Sequence, residues 1–164
     1  MIKDPDRVIC GIATVFGQPC PNDGRSWKAE QFKDFLALET AVPLRVDHGP
    51  LITSRGVIMS VGMVRQFATV TYPTHGLLIL AEVNDAAGFG DELLADLAAV
   101  TSQTWLPHCW GLSIAAHATE DAALPYEVSV TRSPALEDSK VLGVGGQAMS
   151  TWRMLTERRI VADQ

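Results

Sequence analysis

Ser113 stands in the middle of the short apolar run Trp110-Gly111-Leu112-Ser113-Ile114, away from turn-forming residues. A hydroxyl in such a run either bonds a neighbouring backbone carbonyl or serves as a nucleophile. As a nucleophile it is weak, so it needs a base beside it and a third group to fix that base. Histidine suits the base role because its charge changes near neutral pH. The chain has four histidines: His48, His75, His108 and His117. His75 precedes a glycine and reads as a solvated turn residue. His108, between Pro107 and Cys109, is the one hint of a metal ligand, but no second ligand pair stands at binding spacing. His117 lies beyond Ser113 on the same run, roughly 13 Å away along an extended strand and out of hydrogen-bond reach. His48, in Asp47-His48-Gly49 at the end of a strand, is the best placed.

The stretch Tyr126 to Thr131 offers an acid. In a strand Tyr126, Val128 and Val130 share one face, and Glu127, Ser129 and Thr131 share the other. Glu127 therefore projects from the polar face and not into the main core, where a surface carboxylate is its ordinary state. Asp47 is a rival partner for His48, but successive strand side chains point to opposite faces, so the chain would have to bend there.

The elements that must position these residues follow from pattern. Val8 to Phe16 is β-branched and apolar and reads as a strand, with Gly11 as a bulge. Pro19 to Gly24 is a loop. Trp27 to Leu38 carries Phe32, Phe35 and Leu36 at helical spacing behind a Ser26 cap. Pro43 to Asp47 alternates, with Val42, Leu44 and Val46 on one face. Val57 to Arg65 reads as a strand with Val57, Met59, Val61 and Met63 on one face, and Gln66 to Tyr72 as another. Gly76 to Val83 is apolar on both faces up to Leu80 and should be central. Asn84 or Asp85 caps a helix with Phe89, Leu93, Leu94, Leu97 and Val100 on one face, and with Asp91 and Glu92 near its positive end. Trp105 to Trp110 is an aromatic, proline-bearing connection. Gly143, Gly145 and Gly146 read as a flexible joint before a terminal helix over Ser150 to Ile160. The connections between Val57 and Val83 are too short for parallel crossovers, which predicts an α+β domain on a mainly antiparallel β-sheet or small barrel surrounded by two to three helices.

Composition bounds the partners. The chain has 164 residues, 47% apolar and 20% charged, enough for one domain with a real core. A net charge of −6 argues against nucleic acid, since little basic surface is left to displace counterions from a phosphate backbone. No segment approaches the ~20 apolar residues of a membrane span. Cys10, Cys20 and Cys109 form no CxxC, so neither a disulfide framework nor a zinc knuckle is indicated. Met1 to Asp6 carries charge and proline where a signal peptide needs an apolar run, which predicts a cytoplasmic protein.

The ordered set Gly11-Ile12-Ala13-Thr14-Val15-Phe16-Gly17, Val42-Pro43-Leu44 with Asp47-His48-Gly49, Gly111-Leu112-Ser113-Ile114, and Tyr126-Glu127-Val128-Ser129-Val130-Thr131 with Pro134-Ala135 resembles the tailed-phage prohead maturation protease family. That family is similar in fold to the herpesvirus assembly protease, assemblin. The resemblance covers roughly residues 8 to 145. It departs from the family pattern at Ala115-Ala116, where a glycine and an aromatic are usual, and at Ala29-Glu30-Gln31-Phe32, in place of a Gly-Ala-Phe signature.

The resemblance implies a serine endopeptidase with His48 as general base, Ser113 as nucleophile and Glu127 as the third member, standing where assemblin has a second histidine. By looser analogy it implies Arg132 as support for an oxyanion-binding group. It further implies a protease-like domain over 1–146 with a helical extension over 147–164, and no cofactor or metal. The substrate would be scaffold or capsid-precursor protein inside the immature phage head, and a homodimer would fit the fold. Two rival readings are a catalytically inactive, prophage-derived assembly module of the same fold, and a small-molecule-binding barrel whose Ser, His and Glu are unrelated.

Overall fold

Residues 1–54, 56–101 and 110–162 are described by the computed structural model. Strands β1 (Val8–Val15), β2 (Val42–Val46), β3 (Leu51–Thr53), β4 (Gly56–Ile58), β5 (Gly62–Val70), β6 (Gly76–Val83), β7 (Gly111–Ala118), β8 (Ala123–Thr131) and β9 (Val141–Val144) are joined by helices α1 (Lys33–Leu38), α2 (Phe89–Thr101) and α3 (Gly146–Ala162). Seven strands form one sheet in the order β7-β8-β2-β5-β6-β1-β9, and β3-β4 stands apart as a hairpin. The sheet curls until its ends meet. Gly111 of β7 bridges Lys140, just before β9, and the Leu112 N–H donates to the Ser139 carbonyl at 3.0 Å.

Curling gives the strands an inside and an outside. Ile9, Leu44, Val64, Ile79, Ala81, Leu112, Val128 and Val130 fill the interior, with Leu93 and Leu97 of α2 packed against them. Outside, Val8, Cys10, Ile12, Leu78 and Leu80 lie under Ala148 and Leu155 of α3. Hence β1 is buried along its whole length and β6 nearly so, as the doubly apolar run Gly76–Val83 predicts. The alternation of Val42, Leu44 and Val46 is also observed, these three being buried and Pro43 and Arg45 partly exposed.

The sheet is mainly antiparallel, as expected, with one parallel pairing: β2 runs parallel to β8, which sets Arg45 beside Ser129. Short connections exclude parallel pairing only between neighbours in sequence, and these two strands are far apart in the chain. Several expectations are corrected. Val57 to Arg65 is not one strand; it breaks after Ile58, leaves Val57 and Met59 exposed, and resumes as β5, which runs on without a break through the second predicted strand to Val70. Trp27 to Leu38 is a 3-10 turn over Ala29–Phe32 followed by α1. Its start is closed not by Ser26 but by the Gln31 side chain, which accepts from the Lys28 N–H. Asp85 is already helical and makes no side-chain cap, so α2 is entered through a 3-10 turn. The three glycines are no loose joint: Gly143 lies within β9, Gly145 turns the chain at φ 62°, and α3 starts at once on Gly146.

Gly11 sits at the seam where β1, β7 and β9 converge. A Cβ there would fall 2.6 Å from Leu112 Cδ1 and 2.6 Å from the Lys140 carbonyl oxygen. Gly146 has nothing within 4 Å of the equivalent position. Gly11→Ala should therefore destabilise the protein by about 1–3 kcal/mol of overpacking, seen as a melting temperature lower by roughly 2–4 °C per kcal/mol. Gly146→Ala should leave the melting temperature unchanged or raise it; equal effects of the two would contradict this account of the seam.

Candidate active site

Three neighbouring strands present polar side chains on the outer face of the sheet. Leu112 is sealed in the interior and Ile114 packs against the same core, so the alternating position, Ser113, faces out. Across the antiparallel ladder Ser113 pairs with Ser129, and across the parallel one Ser129 pairs with Arg45. Glu127, two residues before Ser129 on β8, shares this face. It is only 3% exposed. The sequence places it on the correct face of the strand, but that face is buried and the carboxylate is not a surface one. Tyr126, expected to lie inward with Val128 and Val130, is instead exposed. The pairing steps from Ala115 with Glu127 to Ala116 with Pro125, which leaves Tyr126 unpaired in a bulge, where its ring meets His117.

His48 reaches this face through a turn. Val46 and Gly49 form a bridge, and the two residues between them, Asp47 and His48, have φ values of 50° and 58°. Positive φ at both central positions is the I′ class of two-residue turn, and Asp and His are among the non-glycine residues that tolerate it best. The bend that Asp47 would have needed to meet His48 is thus present, but the ring takes another carboxylate. His48 Nδ1 lies 2.5 Å from Glu127 Oε1. The His48 backbone N–H donates to Ser129 Oγ at 2.9 Å, and the Ser129 hydroxyl donates to the same Glu127 Oε1 at 3.0 Å. Arg45 pairs with the other oxygen, Oε2, at 3.2 Å. Both oxygens of the carboxylate thus have partners, Oε1 in directed contacts with His48 and Ser129 and Oε2 in an ion pair with Arg45, as a carboxylate removed from water requires.

The structure thus brings His48 and Glu127 together and sets Ser113 in the next strand, opposite the serine that holds both. Directly opposed strand residues have Cβ atoms roughly 5 Å apart, so Ser113 and the His48 turn flank the same serine. Among the described residues no hydrogen bond joins the Ser113 hydroxyl to the His48 ring. Arg132 is exposed, and its guanidinium is stacked 4.7 Å from the centre of the Trp110 ring, beside the start of β7. His108 and Cys109 lie outside the described residues. Among the described residues no group of three or more metal-ligating side chains converges, and no helix is long and apolar enough to cross a membrane.

A cleft of about 190 Å³ opens where β7 and β1 diverge, lined by Ser113, Thr14, Cys20, Trp27, Leu136 and Ser139. Sequence reasoning did not assign a role to Arg45 or Ser129. Their alternation patterns already placed them opposite the core residues of β2 and β8, but only the parallel register brings them together.

No family model and no curated protein matches the chain. Solved structures do. The protease of Kaposi's sarcoma-associated herpesvirus, in complex with a hexapeptide phosphonate inhibitor, aligns at a TM-score of 0.50 and 19% identity, over 76% of this chain and 58% of that one. The same viral protease with an allosteric inhibitor aligns at 0.48, over 76% and 68% of the two chains. With a dimer disruptor it aligns at 0.47, over 76% and 69%. The fold is assemblin-like. The chain spans 58% of the length of the first of these.

The cysteines probe the cleft wall. Cys10 is sealed between the sheet and α3, and burial pushes its thiol up to about 12. At pH 8 only roughly one Cys10 in ten thousand is then a thiolate, the reactive form. Cys20 is half-buried on the cleft. In a Cys109→Ser background, N-ethylmaleimide at pH 8 should modify Cys20 in the folded protein and Cys10 only after denaturation, as read by peptide mass mapping.

Proposed function

We propose that this protein is a serine endopeptidase of the prohead maturation type, with Ser113 as nucleophile, His48 as general base and Glu127 as orienting acid. The observation that carries the reading is the 2.5 Å contact of His48 Nδ1 with a buried carboxylate, beside a serine that lines a cleft. With Nδ1–H donated to Glu127, the Nε2 lone pair is free to take the Ser113 hydroxyl proton. The alkoxide attacks the scissile carbonyl, and His48 returns the proton to the leaving amine. Water then repeats the sequence on the acyl-enzyme. Arg132 supports the oxyanion-binding group in this reading, with backbone N–H groups as the other donors.

Ser129 is excluded as the nucleophile by its own bonds: it is fully buried, and its hydroxyl already accepts from His48 and donates to Glu127. Ser113 is partly exposed. The substrate in this reading is the scaffold or capsid-precursor protein of a phage head. Residues 1–146 form the protease domain, 147–164 its helical extension, and the enzyme works as a homodimer in the bacterial cytoplasm without a cofactor. The missing Ser113–His48 hydrogen bond favours a second reading, an inactive assembly module of the same fold. Catalytic hydrogen bonds are often loose before substrate binds, so labelling decides between the two.

A fluorophosphonate probe should modify Ser113 alone. Ser113→Ala and His48→Ala should abolish both labelling and cleavage of a co-expressed cognate precursor; Ser113→Ala should melt near the parent, and His48→Ala lower, because it removes a partner of buried Glu127 and puts alanine at a positive φ. Glu127→Gln can present an amide N–H to Nδ1 and select the wrong tautomer, which should lower turnover by about 10⁴-fold, as in other triads. Absence of labelling in folded protein, or labelling that survives Ser113→Ala, would exclude the protease reading.

A further inference from the structure

The acid of the proposed triad has two partners that the chemistry above does not use. Oε1 of Glu127 accepts both from His48 Nδ1 and from the Ser129 hydroxyl, and Oε2 is held by Arg45. Ser129 is bound at both ends, because its oxygen also accepts the backbone N–H of His48. One hydroxyl therefore ties the histidine's main chain to the carboxylate that its ring must meet. Without that tie, the His48 turn is joined to β8 by the backbone bond from the Asp47 N–H to the Val130 carbonyl, one residue before the ring, and by the ring contact itself.

We propose that Ser129 and Arg45 are positioning residues for the base: together they fix the Glu127 carboxylate so that only Oε1 faces the ring, and Ser129 fixes the turn that carries the ring. The proposal rests on the protease reading for its purpose but not for its geometry. A carboxylate that is not held at its second oxygen can swing away from the ring, and an imidazole whose acceptor has moved off loses its preference for Nδ1–H over Nε2–H. Arg45 removes that freedom at Oε2. The arginine can do so without closing the site: its side chain is 32% exposed, whereas the carboxylate is buried. Both act through the Glu127 carboxylate and the His48 turn, so both are positioning residues and not catalytic ones.

The test separates position from activity. Protein labelled with ¹⁵N at histidine, with His48 assigned through His48→Gln, reports the ring tautomer by long-range ¹H–¹⁵N correlation without any substrate. The parent should show His48 as a single Nδ1–H tautomer with a protected, downfield ring proton. Ser129→Ala and Arg45→Met should each lose that proton and show averaged ring nitrogens, and Arg45→Lys should restore the parent signature. Fluorophosphonate labelling of Ser113 should slow by about 10- to 100-fold in the first two variants, the worth of one hydrogen bond to a charged group. Should Ser129→Ala not fold, Arg45→Met carries the test, since its side chain reaches the surface. Parent-like ring signals in both folded variants would overturn the proposal. If Ser113 resists the probe in the parent while the ring signals still collapse in the variants, the positioning role stands and the protease reading falls.

Discussion

A carboxylate sealed from water governs this structure. Glu127 is acceptable at 3% exposure only because both its oxygens are met: one by the His48 ring and the Ser129 hydroxyl, the other by Arg45. An unpaired buried charge costs several kcal/mol, so whatever brings those partners to it is itself under constraint. The parallel register of β2 on β8 places Arg45, the I′ turn at Asp47-His48 lifts the ring onto the same face, and the bulge at Tyr126 sits directly beside the carboxylate.

The curled sheet supplies the rest. Its closure through Ser139 and Lys140 keeps β7 from being a free edge at Gly111 and Leu112, while the strands diverge beyond that point and leave the cleft. Ser113 stands at that divergence, with the interior-filling Leu112 on one side and the core-packed Ile114 on the other. A hydroxyl anchored by two apolar neighbours on a paired strand is held in place by the core, as the proposed nucleophile must be.

Much of this was legible in the chain, for identifiable reasons. The double-sided apolar run Leu77 to Leu80 announces a central strand, and the alternation of Val42, Leu44 and Val46 gives β2 its inner face. Period two also puts Glu127 and Ser129 on one side of β8. What alternation cannot convey is what covers that side, and so the burial of Glu127 was missed. It cannot convey register between strands distant in sequence either, so the one parallel pairing, which recruits Arg45 into a mainly antiparallel sheet, is not legible in it. The break at Met59 and the bend at Asp47-His48 are decided by tertiary contacts. The sequence carries no glycine at either central position of that turn to mark it. The motifs behind the resemblance to prohead proteases work the other way: they are short, but their order along the chain carries the fold, and the herpesvirus protease alignment agrees with it.

The central claim is that Ser113, His48 and Glu127 act as one unit. The most direct measurement is a crystal structure of the protein after reaction with a peptidyl phosphonate. Phosphorus should be bonded to Ser113 Oγ, with His48 Nε2 within hydrogen-bond reach of that oxygen and His48 Nδ1 still on Glu127. An adduct on another residue, or a His48 ring lying several ångströms from the Ser113 adduct, would contradict the claim.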